Sequence, residues 1–342
     1  MNVIVTGIGP MMSCAMGAKS LSRFNLDDLW IPKVHEWFDP NVELGGRGFK
    51  YFSAATRYLM AAVKQFEQTS EGNTTVSSAA EKGVVIGSNS CTRQTLDEID
   101  RTVLEQGYKS IHPMRAPSFC ANIGTGTISI RHQAKAFNIT LMNPITAGLE
   151  AVILAKQAIM DRRASSVIAG AMEDDAEFTL GRQYPVKTAG GAWALRLEAA
   201  SSQDSINDVT GASYVEIGAT LNRFIPSPVV GNEYNSEPLL QSLGRDFAPM
   251  LSGGKNLRVS VAMLTDPHSQ FIAGLLLQIL ARHGVQAAQI NVPSKDTTHG
   301  TLQALAQLSW SCVNADKAIC IAISPLGHVA AVEISRSRAT GK

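Results

Sequence analysis

The place in this chain where a side chain could do covalent chemistry is a turn between a strand and a helix. The β-rich run at residues 139–142 (ITLM) stops at Asn143-Pro144, and an Ala-rich, 3.6-periodic run begins directly after it. Nucleophilic enzymes place their nucleophile on such a turn. It lifts one side chain out of the sheet, at a helix N-terminus whose dipole and free N–H groups favour developing negative charge.

Other reactive side chains are scattered. The five cysteines (Cys14, Cys91, Cys120, Cys312, Cys320) form no CxxC pair, so neither a disulfide framework nor a zinc site is indicated, and no metal is expected. Cys91 and Cys120 read as small buried hydrophobes. Glu173-Asp174-Asp175 follows the buried run ASSVIAGAM and reads as the start of a loop. Gly7-Ile8-Gly9-Pro10 imitates a dinucleotide fingerprint, but Met11-Met12-Ser13 supplies no third glycine to open a helix. Arg162-Arg163 reads as a solvated helix C-terminus. The functional alternative is a small patch for an acidic carrier protein.

The elements that must position the turn are legible on both sides of it. The stretch from Pro117 to Asp175 reads as helix, strand, sharp turn, buried helix and second strand. Residues 2–6 read as a short buried strand, and residues 53–69 as an amphipathic helix with Leu59, Ala62, Val63 and Phe66 on one face. GVVIGSNS at 83–90 is a continuous apolar strand suited to a central parallel sheet. Residues 189–198 alternate into a strand, and residues 269–284 form an apolar helix stopped at His283-Gly284.

Composition sets the class. Of 342 residues, 45% are hydrophobic and 17% charged, which predicts a globular chain. A net charge of +1 with dispersed basic residues argues against nucleic acid as a partner. No basic-then-apolar leader and no apolar run of about 18 residues is visible, so membrane insertion is not expected and the expected location is cytoplasmic.

The segment NIGTGTISI…KAFNITLMNPITAGLEAVILAKQAIMDRRASSVIAGAMED resembles the β-ketoacyl synthase family of the thiolase superfamily. NVIVTGIGPMMSCAMG, KGVVIGSNS and AICIAISPLGHVAAVEIS are similar to its opening strand, second core strand and closing strand pair. The resemblance implies an α/β, thiolase-like layered αβαβα fold with two related halves, expected at 1–187 and 188–342 within one compact unit. In that family the turn carries a cysteine before a small-residue run. Laying Thr146-Ala147-Gly148 on that run puts Ile145 at the nucleophile's position, where no thioester can form.

Two family histidines are also in doubt. In one threading, INVPSKDTT replaces the first histidine turn, Pro293 or Ser294 stands where the histidine would be, and the second turn is deleted. In the other, Ser294-Lys295 through His299-Gly300 is the second turn. The first is preferred because the chain is shorter than typical family members. In the closing loop, Leu326 takes the bulky position and His328 interrupts the glycines.

The resemblance therefore implies no catalytic residue and no cofactor. It implies a chain length factor that forms a heterodimer with a catalytic ketosynthase subunit, serves acyl carrier protein, and shapes the acyl tunnel. More narrowly it resembles the aryl polyene kind. Met114, Phe119, Asn122, Met142 and Leu326 are the expected tunnel or interface residues. The alternatives are a malonyl-carrier decarboxylase and a carrier-binding scaffold without a chain-length role.

Overall fold

A computed structural model describes residues 1–12, 37–45, 47–69, 77–180, 184–200, 214–227, 236–252, 257–286, 290–291 and 299–337. The first half of the chain supplies β1 (Val3–Met12), α1 (Pro40–Leu44), α2 (Ala54–Thr69), β2 (Lys82–Gly87), α3 (Arg93–Gln106), α4 (Ile123–Arg131), β3 (Phe137–Leu141), α5 (Ala147–Met160), β4 (Ser166–Glu173), the hairpin strands β5 (Ala176–Leu180) and β6 (Tyr184–Thr188), and β7 (Gly191–Ala199). The second half supplies β8 (Tyr214–Phe224), α6 (Glu237–Leu251), β9 (Leu257–Ala262), α7 (Pro267–Arg282), β10 (Ile290–Asn291), α8 (Leu302–Asn314), β11 (Lys317–Ile323) and β12 (His328–Ser337).

Ten of the strands form one sheet in the order β10-β9-β11-β12-β8-β1-β7-β4-β2-β3. The order is a mirror about the β8–β1 junction. On one side β2 pairs in parallel with β3 and β4; on the other β9 pairs in parallel with β10 and β11. Towards the centre, β7 and β12 join antiparallel to β4 and β11, and β1 and β8 meet antiparallel at the middle of the sheet. The two sets are built alike.

Helices α5 and α8 each touch strands of both sets: α5 packs on β2 and β4 and also on β8 and β12, while α8 packs on β9 and β11 and also on β4 and β7. They are the inner layer. α2 and α4 cover the outer face of the first set, and α6 and α7 that of the second. This is the layered αβαβα arrangement. The inner layer explains why α5 is buried over its first turns from Ala147 to Val152 and carries no polar face there beyond Glu150.

Several expectations need correction. The opening strand does not stop at residue 6 but runs through both glycines to Met12. Those glycines serve close packing, since a Cβ on Gly9 would lie 1.8 Å from the Ala62 carbonyl oxygen of α2. β7 does not alternate; it is buried from Gly191 to Glu198, because sheet strands flank it on both edges and helices cover both faces. Cys120 is exposed, at the end of the 3₁₀ segment Pro113–Phe119, and is no buried hydrophobe. The α2 face formed by Leu59, Ala62, Val63 and Phe66 is buried as read from its spacing.

Candidate functional site

The turn between β3 and α5 is held from several directions. Ser88 N–H, just past β2, donates to the Leu141 carbonyl (2.8 Å), so the two turns run side by side. Asn143 Nδ2 donates to Glu150 Oε2 (2.6 Å), Thr146 N–H to the Pro144 carbonyl (2.7 Å) and Ala147 N–H to the Asn143 carbonyl (3.2 Å). Between them Ile145 has φ +65°, in the left-handed region, and its side chain is 1% exposed within the main core. A β-branched residue is a true outlier there, at a cost of roughly 1–2 kcal/mol. The strain is therefore imposed by the surroundings. The expected strand–turn–helix path is present, and the side chain on it is an alkyl group in the same core cluster as Leu149.

Beside this turn lies a carboxylate that the sequence reading placed in a loop. Glu173 is the last residue of β4 and is wholly buried. Its Oε2 accepts from Ser90 Oγ (2.6 Å), Ser90 N–H (2.7 Å), Asn89 N–H (3.1 Å) and Ser88 Oγ (3.3 Å). Its Oε1 accepts from Thr301 Oγ1 (2.7 Å) and Thr301 N–H (3.2 Å). Thr301 immediately precedes α8, so the Glu173 side chain ties the turn after β2 to the second half of the fold. Hydrogen bonds to a charged acceptor are the strong ones. The only signal in the sequence was a buried strand running straight into an acid with no intervening turn residue.

Asp174 follows, also buried, with Oδ1 accepting from Ala55 N–H (2.8 Å) at the start of α2. Burial, and then the neighbouring Glu173 and Asp175, push its carboxyl up to about 7. Asp175 accepts from Gly190 N–H (2.7 Å). Burial and these two carboxylates raise the Tyr58 hydroxyl to about 12. Cys91 is raised to about 12, mainly by burial, with Glu173 and Asp174 adding to it. A thiol so placed stays protonated and is a poor nucleophile. Among the described residues no group of three or more His, Cys, Asp or Glu side chains is arranged to hold a metal ion.

The histidines are placed as follows. His299 is 2% exposed and immediately precedes Gly300 and the start of α8, while Pro293 and Ser294 lie outside the described residues. His328 is half-buried, edge-on to Phe224 at 5.3 Å. His268, buried near the N-terminus of α7, has Nδ1 3.2 Å from the Pro325 carbonyl. His283 caps α7 through Nδ1, 2.9 Å from the Ile279 carbonyl, as the helix-stop reading expected.

Of the expected tunnel residues, Met114, Phe119, Asn122 and Met142 lie between the 3₁₀ segment and the end of β3, and all are exposed. Phe119 is 47% exposed and so is not ordinary core. Leu326, also exposed, is in the turn between β11 and β12, in the other strand set. β3 ends the sheet, with a single partner strand. No helix among the described residues is long and apolar enough to cross a membrane.

Comparison with known proteins accords with this geometry. Residues 34–181 match the family described as Beta-ketoacyl synthase, N-terminal domain. A curated relative, 3-oxoacyl-[acyl-carrier-protein] synthase 2 of Coxiella burnetii, is 24% identical over 187 residues, or 50% of this chain; the chain covers 45% of that relative's length. Among solved structures, the ishigamide ketosynthase/chain length factor matches with a TM-score of 0.67 at 17% identity, over 98% of this chain and 99% of that one. A type II PKS acyl-carrier protein in complex with its ketosynthase bound to the hexaketide matches with a TM-score of 0.71 at 16% identity, again over 98% and 99%. A β-ketoacyl synthase from Burkholderia phymatum STM815 matches at 0.63 and 11% identity, over 98% of this chain and 100% of that chain. The chain thus has the thiolase-like fold of the ketosynthases, and its first half carries the match to the β-ketoacyl synthase N-terminal domain.

Proposed function

We propose that this protein is a non-catalytic, chain-length-factor-type partner of an active β-ketoacyl-carrier synthase, and that it works in polyketide or fatty-acid-type elongation, of the aryl polyene kind. The observation that carries the reading is Ile145: an alkyl side chain, buried and held in left-handed backbone, at the turn where the fold presents a nucleophile. Covalent catalysis needs an attachment point, and acid–base help cannot replace it. The two related halves, 1–187 and 188–342, act as one unit in this proposal. The mirrored sheet favours His299-Gly300 as the counterpart of the family's second histidine turn, because it leads into α8 as Ile145 leads into α5.

The heterodimer reading is supported by the free edge of β3, an arrangement that invites pairing with another strand. Next to it Met142, just past β3, and Ile130 of α4 expose apolar side chains, Ile130 to 81%, and Met114 and Phe119 do so on the 3₁₀ segment that leads towards α4. The carrier-protein reading is supported by Arg47, Lys50 and Arg131, exposed basic residues for which no ion pair is seen among the described residues, with Arg131 Nη2 4.0 Å from where a Cβ on Gly48 would stand. Arg162-Arg163 is a weaker candidate, since Arg163 sits over the Phe137 ring at the end of α5.

Chain length would follow from pocket volume, at about 0.8 kcal/mol of apolar contact per buried CH₂. In this reading Phe119, the only aromatic side chain of the stretch 114–123, is the one that would close the partner's tunnel. Reconstituting the heterodimer with Phe119→Ala is expected to lengthen the products with little change in melting temperature, because Phe119 is half exposed in the single chain. An unaltered product distribution would remove Phe119 from the tunnel wall.

A further inference from the structure

The 3₁₀ segment Pro113–Phe119, which carries Met114 and Phe119, cannot hold its own shape. Its two prolines, Pro113 and Pro117, donate no amide hydrogen bonds, and its internal ladder is short. On the α3 side it borders a cavity of about 320 Å³ lined by Glu98, Ile99, Thr102, Ile111, His112 and Arg115, so no packed core fixes it there. Arg115 pairs with Glu98 across this gap, an exposed ion pair that contributes little to position.

What fixes both ends is one pair of residues. His112 is the cap: its Nδ1 accepts from Met114 N–H (3.2 Å), the first amide after Pro113 in need of an acceptor. Its ring stacks on Tyr51, with centroids 5.6 Å apart and planes at 22°. The Tyr51 carbonyl accepts from the buried Ser118 Oγ (2.6 Å) near the far end of the segment, and Lys50 Nζ lies 5.6 Å over the Tyr51 ring. The chain at 50–51 thus grips the segment at its start through a ring and at its end through a carbonyl.

We infer that His112 and Tyr51 are positioning residues that set where Met114 and Phe119 stand, and through them the length of the product. This rests on the tunnel-wall reading above. The test uses the reconstituted heterodimer, with product-length distribution and hydrogen–deuterium exchange of the peptide spanning 113–120 as readouts.

His112→Ala and Tyr51→Ala are expected to raise exchange in that peptide several-fold and to broaden the product distribution. His112→Asn keeps an acceptor at the cap, where asparagine is favoured, and is expected to restore much of both. Tyr51→Phe keeps the ring and the carbonyl and is expected to be silent. Both positions are surface-exposed, so these variants should fold. Unchanged exchange in the alanine variants overturns the inference and leaves the wall reading standing. Raised exchange with an unchanged product overturns the wall reading itself, and with it the link to chain length.

Discussion

The turns into α5 and α8 stand at matching places in the two mirrored strand sets, and each has one left-handed residue two positions before its helix. In the second half it is Gly300 (φ +50°); in the first it is Ile145 (φ +65°). Glycine adopts this backbone without steric cost, and its missing Cβ leaves room for Glu173 Oε1, which a methyl group would meet at 3.0 Å. Isoleucine fits it worst. The same backbone path is thus held once by residue choice and once against it. At the first turn the surroundings supply the restraint: the Asn143–Glu150 hydrogen bond, the Ser88–Leu141 tie and the packing of Ile145 in the core. Left-handed backbone at position 145 is therefore held by the neighbouring elements that pack against it, with an alkyl side chain on the turn.

The comparison breaks most severely at Glu173, which links the two halves. Glu173→Ala would strand buried N–H and hydroxyl donors of Ser90, Asn89 and Thr301, each at about 1–3 kcal/mol. A loss of roughly 4 kcal/mol or more is expected in urea denaturation, with Glu173→Gln losing less. An unchanged midpoint would mean that the halves do not depend on this carboxylate.

The next effect comes from Asp174. Its folded-state carboxyl is raised to about 7 by burial, so between its ordinary value and that point the folded protein holds a proton that the unfolded chain has released. Stability from this group is greatest in acid and falls as pH rises from about 4 to about 7, by on the order of a few kcal/mol. Denaturation midpoints compared at pH 5 and pH 8 should show this fall, and Asp174→Asn should flatten it. An identical slope in the variant would contradict the assignment.

The smallest effect sharpens the comparison directly. Gly300→Ala puts a Cβ on left-handed backbone against Glu173 and is expected to cost about 1–2 kcal/mol, read as a melting temperature lower by a few degrees. No change would imply that the second turn is looser than the first.

The site was only partly legible in the sequence. The turn at 143–146 was readable because two periodicities meet there, period 2 in ITLM and 3.6 in AGLEAVILAKQAIM, with Asn-Pro between them. The amphipathic face of α2 was readable for the same reason. Glu173 was not, since an acid at a strand end looks like the start of a loop, and its six donors come from residues more than eighty positions away in either direction. β1 was cut short because glycines that admit a neighbouring helix have the same composition as glycines that make a turn. Exposure of Phe119 and Cys120 follows from their place at the end of a short 3₁₀ segment outside the sheet, which no local periodicity carries.

The central claim is that the turn at Ile145 has kept its shape and lost its chemistry. Intact-protein mass spectrometry of the copurified heterodimer, after incubation with acyl- and malonyl-loaded carrier protein, tests it most directly. The account predicts an acyl adduct on the partner subunit alone and an unmodified mass for this chain. A stable adduct on this chain, at any of its cysteines, would contradict it.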